Sequence, residues 1–185
     1  MGDDLLDEKK YTRVTTVLNV YNKYDSVPLA VLNYAADRGT RVHKYAELYA
    51  NRMLFGEIDS DCVEYVQAFI NWFDENVEEV YHTEKRLGCD KFFIQGQIDM
   101  IAKIKGLTGS TVVDIKTSSI PAKTWELQTS AYHWLAQSTT QDVNDRVIIH
   151  VKKDGTFDQI LFPKENQKKD FSLFKKALEL YRHFS

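Results

Sequence analysis

The sequence predicts an α/β fold in which a mixed central β-sheet is flanked by α-helices, and three observations carry that prediction. Apolar residues recur at helical spacing in two long stretches before residue 80. The chain then changes to strand-like alternation over three successive segments. A helix, two further strands and a closing helix follow, giving the order α, α, β, β, β, α, β, β, α. Such an order favours helices layered on one sheet. The 185 residues suffice for one domain with a substantial core and are too few for two ordinary domains plus a linker. No repeat, low-complexity tract or Ser/Gly-rich linker interrupts them, so residues 1–185 read as one domain, with 1–10 as an acidic, flexible start.

Tyr11 to Val20 is rich in β-branched residues but short, and either element type fits it. Ser26 and Pro28 mark a helix entrance, since proline suits the first helical position. The helix should run through Leu29, Leu32, Ala36, Val42, Ala46 and Ala50. A second helix, about Asp61 to Glu78, carries Val63, Val66, Phe69, Ile70, Phe73 and Val77 on one face and acids on the other. Val80 to Arg86, Phe92 to Lys103 and Thr111 to Thr117 read as strands, the last two paired as a hairpin. Thr124 should cap a helix reaching Ser138, with Leu127, Ala131, Trp134 and Leu135 buried. Arg146 to Val151 and Thr156 to Phe162 are strands around an Asp154-Gly155 turn, and Gln167 to Phe184 is an amphipathic helix.

Hydrophobic residues make up 43% and charged residues 28%, a globular balance that argues against disorder and disulfide scaffolds. No apolar run approaches the roughly 20 residues of a membrane helix. The start, Met1-Gly2-Asp3-Asp4, is acidic where a secretion signal is basic, and Leu6 stands where myristoylation needs Ser or Thr. A soluble, intracellular protein is expected. Cys62 and Cys89 have no clustered Cys or His, which excludes a zinc ribbon and leaves two free thiols.

The net charge of −3 is unevenly spread. Glu57 to Glu84 holds nine acids and no Lys or Arg, leaving 18 acids against 24 bases elsewhere. The acidic stretch reads as a solvated helix face, and the remainder is basic enough to permit a polyanionic partner.

The strongest local signal is Val112-Val113-Asp114-Ile115-Lys116-Thr117. Alternation puts Asp114 and Lys116 on one face of the strand and Val113 and Ile115 on the other. Gly96-Gln97-Ile98-Asp99 offers a second carboxylate on the preceding strand, with Ile98, Met100, Ala102 and Ile104 as its apolar face. Adjacent strands lie about 4.8 Å apart, so Asp99 and Asp114 can converge. Two carboxylates so placed repel each other unless a cation joins them, and a divalent ion is the economical partner.

These pieces resemble the PD-(D/E)XK nuclease superfamily, specifically its RecB-like exonuclease branch. The resemblance covers residues 11 to 135 in five elements that keep the family's order. They are Arg38-Gly39-Thr40-Arg41-Val42-His43, then Glu84, then Gly96-Gln97-Ile98-Asp99, then Asp114-Ile115-Lys116, then Gln128-Thr129-Ser130-Ala131-Tyr132. The triplet Asp-x-Lys alone is a weak signal; five elements in order are a specific one.

The resemblance implies a restriction-endonuclease-like sheet and a metal-dependent deoxyribonuclease that degrades linear DNA ends in recombination, repair or phage genome metabolism. It implies Mg2+ or Mn2+ as cofactor, bound by His43, Asp99, Asp114 and the main-chain carbonyl of Ile115. Lys116 then contacts the scissile phosphate or the attacking water. A cation supplies a nucleophile near neutral pH and stabilises transition-state charge, and an ammonium beside two acids stays protonated to balance it. An imidazole ligand suits manganese better than magnesium.

Glu84 is either a carboxylate that orients Lys116 or a metal-bound water, or a strand residue facing solvent. Gln128 and Tyr132 share a helix face, opposite Leu127, Ala131 and Leu135, and in RecB-like enzymes this pair arranges the site and meets DNA. Trp125 either stacks on an unpaired base or packs under a loop. Arg38, Arg41 and Lys123 are the further DNA contacts expected. Gly39 costs about 1 kcal/mol within a helix, which fits either a close approach to another element or a helix break.

The iron-sulfur subtype needs four cysteines and is excluded. No Walker-type loop is present, so DNA unwinding would fall to a separate protein, and a recombination or replication protein is the further partner considered. A cytoplasmic setting, bacterial or phage-infected, is expected, and a mitochondrial one is also compatible. A structure-specific or nicking endonuclease on the same fold is the alternative, followed by a DNA-binding module without catalysis.

Overall fold

A computed structural model describes residues 10–22, 26–138 and 142–185. Residues 1–9 of the expected flexible start lie outside the described residues. A short strand β1 (Thr12–Arg13) leads directly into helix α1 (Val14–Asn19), so the ambiguous first segment contains both element types. Helices α2 (Leu29–Ala50) and α3 (Val63–Asn76) follow. Then come strands β2 (Val77–Cys89), β3 (Ile94–Ile104) and β4 (Ser110–Lys116), helix α4 (Trp125–Gln137), strands β5 (Val143–Val151) and β6 (Phe157–Phe162), and helix α5 (Gln167–Phe184).

The strands form one mixed sheet in the order β1-β3-β4-β5-β6, with β2 also paired to β3. β3 runs antiparallel to β2 and β4, β5 antiparallel to β6, and β4 parallel to β5. A parallel pair needs a long crossover connection, and α4 supplies it between β4 and β5.

Two apolar clusters cover the two faces of the sheet. Val14, Val17 and Leu18 of α1, Ala131 and Leu135 of α4, and Phe174 and Leu178 of α5 pack over Ile94, Ile98, Ile101 and Val112. Val42 and Ala46 of α2 and Val66, Phe69 and Trp72 of α3 pack over Met100, Ala102, Ile104, Val113 and Ile115. Each large apolar side chain buried here contributes on the order of 1.5–3 kcal/mol of transfer free energy. The expected α/β sheet flanked by helices is therefore what the chain forms.

Four details depart from or qualify the sequence expectation. Ile98 does not share a side with Met100, Ala102 and Ile104; it packs with Ile94 and Ile101 in the other cluster, so alternation along β3 slips at Asp99. Leu29 is 70% exposed and Ala36 is exposed, because α2 meets the sheet only from Val42 onward. Thr124 does not cap α4 with its side chain; its hydroxyl donates to Asn22 Oδ1 at 3.0 Å. Finally, the α4 face that carries Gln128 and Tyr132 is buried as well as the one that carries Ala131 and Leu135, while Leu127 and Trp134 are only half-buried. A helix held between a sheet and two other helices is buried on more than one side.

Candidate active site

Asp99 and Asp114 come from neighbouring strands. The ladder pairs Met100 with Val113, which brings Asp99 beside the end of β4, and the Ile115 amide donates to Asp99 Oδ2 at 2.6 Å. That hydrogen bond fixes the carboxylate and leaves Oδ1 facing His43 Nδ1 at 3.2 Å. His43 reaches it from α2 because Gly39, one turn earlier, lies against the segment after β4. A Cβ at Gly39 would sit 3.2 Å from Thr117 Oγ1. The helix runs unbroken through Gly39, so close approach is the role of this glycine.

Glu84 enters from β2. The ladder pairs Thr83 with Met100 and Lys85 with Ile98, which places Glu84 opposite Asp99. Its backbone φ is 48°, a left-handed conformation uncommon for a side chain with a Cβ and one that collects at functional sites. One ligand atom each from His43, Glu84 and Asp99 lie within 4.8 Å of one another. Asp114 is outside this trio: its Oδ2 faces the Lys116 ammonium at 2.6 Å without hydrogen-bond alignment, and its Oδ1 accepts from Gln128 Nε2 at 3.2 Å. Gln128 also accepts from Lys116 Nζ at 3.1 Å, and its amide nitrogen lies 3.1 Å from the Tyr132 hydroxyl. The glutamine-tyrosine pair thus lies under the Asp114–Lys116 pair.

The electrostatics follow from this crowding. Burial alone would lower the His43 imidazole, but the charge and hydrogen bond of Asp99 outweigh it and push the ring up to about 9. Burial opposes ionisation of Asp99, yet His43, Lys116 and the Ile115 amide hold it below its ordinary value. Burial, reinforced by Asp99, raises Asp114 to about 6 against the pull of Lys116. Burial and the nearby Asp99 raise Glu84. Crowded carboxylates of this kind favour a bound cation. Carboxylate oxygens suit magnesium, and the imidazole admits manganese. The donor set therefore fits the divalent ion that the sequence implied.

A cleft of about 1060 Å³ opens above these groups, lined among others by Gly39, His43, Lys44, Glu84, Asp99 and Lys116. Several expected DNA contacts lie elsewhere. Arg41 is neutralised by Asp37, Asp59 and Asp61 at 2.8–3.0 Å, and Arg38 lies over the Tyr65 ring with its guanidinium 4.5 Å from the centroid. Trp125 is buried, edge-on to His150 at 5.2 Å, so packing rather than base stacking describes it. Lys123 is exposed on the loop before α4. The cleft wall carries instead Lys85, Arg86 and Gln97, to which the sequence reading gave no role. Their position directly after Glu84 and two residues before Asp99 is the signal that could have found them.

The model of the PD-(D/E)XK nuclease superfamily matches residues 60–183, about two thirds of the chain. The chain belongs to the PD-(D/E)XK nuclease superfamily. Its activity class is accordingly that of a hydrolytic nuclease. A solved Eubacterium rectale protein, named provisionally as an exonuclease, shares its fold at a TM-score of 0.58 and 16% identity, covering 95% of this chain and 84% of its own. A second solved structure, that of SSO0001, overlaps 95% of this chain and 78% of its own at 17% identity, with a TM-score of only 0.44. No curated protein matches the sequence. Among the described residues, no helix is long and apolar enough to cross a membrane.

Proposed function

We propose that residues 1–185 form one nuclease domain that removes nucleotides from linear DNA ends, with Mg2+ or Mn2+ as cofactor, in recombination, repair or genome maintenance. The observation that carries the reading is the meeting of His43, Glu84 and Asp99 in a cleft that also receives the Lys116 ammonium. His43, Glu84 and Asp99 would hold the cation, with Asp114 and the main-chain carbonyl of Ile115 as further ligands from β4. When bound, such an ion lowers the pKa of water and stabilises charge on a phosphoryl oxygen.

The chain's own groups do the rest. Lys116, held by Asp114 and Gln128, presents a positive charge to the phosphate as negative charge builds in the transition state. Asp99, anchored by the Ile115 amide, keeps the imidazole of His43 turned into the cleft. The exonuclease reading draws support from the Gln128–Tyr132 pair packed beneath the lysine, as the RecB-like resemblance implies, and from the provisional name of the Eubacterium rectale protein.

End-labelled single- and double-stranded oligonucleotides with magnesium or manganese test the proposal. Lys116→Ala and Asp114→Asn should each lower the rate by about 100-fold or more, the usual loss for a transition-state charge stabiliser. Manganese should support cleavage at least as well as magnesium, and closed circular DNA should survive. Parental rates in both variants would overturn the site, and rapid nicking of closed circles would replace the exonuclease with an endonuclease.

A further inference from the structure

Four consecutive residues of β2, Thr83, Glu84, Lys85 and Arg86, line the same cleft. A regular strand turns successive side chains to opposite faces. The left-handed backbone at Glu84 breaks that alternation, so one strand delivers a carboxylate to His43 and Asp99 and two cations to the wall beside them.

Arg86 is also tied to Glu84 through an intermediary. It pairs with Gln97 across the β2–β3 ladder, and its Nε donates to Gln97 Oε1 at 3.1 Å. An amide side chain accepts at one end and donates at the other, so this contact decides which way Gln97 is turned. The donating end then faces Glu84, with Gln97 Nε2 bonded to Glu84 Oε2. Arg86 uses only Nε here, and Lys85 has no carboxylate partner among the described residues. Of the other cations that line the cleft, Lys44 is paired with Glu47, and Lys116, held by Asp114, is the one assigned to the reacting phosphate.

We propose that Lys85 and Arg86 seat a phosphate of the substrate strand beside the reacting one, and that Arg86, through Gln97, positions Glu84 in the metal site. This rests on the nuclease reading of the cleft. A guanidinium suits both tasks, since its planar fork can donate to an amide on one edge and to phosphate oxygens on another.

Two binding measurements test it without relying on cleavage. Fluorescence anisotropy of a labelled oligonucleotide is read in EDTA over a range of salt, and Mn2+ binding to the DNA-free protein is read by electron paramagnetic resonance. Arg86→Gln and Lys85→Gln should each weaken DNA binding by about tenfold and reduce the salt dependence by about one phosphate contact. Gln97→Leu should weaken Mn2+ binding by about tenfold, the low end for loss of a group that orients a metal ligand, and should weaken DNA binding in EDTA less than Arg86→Gln does. Arg86→Lys should keep most of the DNA affinity and reproduce the Mn2+ defect. Parental DNA affinity and salt dependence in both Arg86→Gln and Lys85→Gln would overturn the phosphate seat, and parental Mn2+ affinity in either Gln97→Leu or Arg86→Lys would overturn the positioning role. A parent that binds neither oligonucleotide nor manganese overturns the nuclease reading as well, which separates the two failures.

Discussion

His43 carries a pH dependence whose sign follows from its surroundings. Without metal, Asp99 raises its imidazole to about 9, and burial raises Asp114 to about 6 and Glu84 in the same direction. A metal needs these groups deprotonated, so it competes with bound protons, and its affinity should rise with pH. Mn2+ affinity measured calorimetrically should climb from about pH 6 to about pH 9, with proton release on binding. His43→Gln should weaken binding and flatten the upper part of that climb; an affinity independent of pH in the parent would remove His43 from the ligand set. The arrangement was only partly legible in the sequence. His43, Asp99, Asp114 and Lys116 stand in recognisable order, but the left-handed φ of Glu84 has no glycine or asparagine to announce it. Nor does local sequence reveal that Arg41 is surrounded by aspartates, two of which come from a loop about 20 residues away.

Among the elements, the contact between β3 and α4 is a close one. A Cβ at Gly96 would lie 2.6 Å from the Tyr132 ring and 3.2 Å from Leu135. Gly96→Ala should therefore push α4 away from the sheet and cost about 1–3 kcal/mol, read as a lower denaturation midpoint. It should also slow cleavage, because Gln128 and Tyr132 ride on the same helix; an unchanged midpoint would show that the ring can swing aside. Strands were legible here because β-branched and alternating residues mark them, and β4 and α5 fall within a residue of their expected bounds. The faces of α2 and α4 were less so. Spacing identifies a stripe that can be buried, whereas the exposure of Leu29 and the burial of Gln128 depend on where each helix meets the sheet.

For the molecule as a whole, the closing helix is joined to the sheet by a buried ion pair. Arg146 of β5 meets Asp170 of α5 at 2.7 Å, and its other terminal nitrogen donates to the Glu126 carbonyl of α4 at 3.0 Å. Removing one charge strands the other, so Asp170→Ala should cost about 3–5 kcal/mol, while Arg146→Met with Asp170→Leu should come close to the parent stability. Urea denaturation checks both, and a single variant no worse than the double would refute the account. The fold class was readable from the order of elements alone, whereas this pair joins residues 24 apart and is set by tertiary packing.

One strand also organises the field around the molecule. β2 begins with the exposed acids Glu78 and Glu79, which Lys103 of β3 offsets at 2.8 Å from Glu78, and ends near the exposed bases Lys85 and Arg86, about 23 Å further along at about 3.3 Å per residue. A negatively charged polymer drifting toward the protein is drawn to the basic end of that strand and not to the other, where acids and bases offset each other, so it arrives already oriented. Dissolved ions screen such steering within about 10 Å at 0.1 M, which makes the capture rate, before any chemistry, sensitive to the salt in which the protein works.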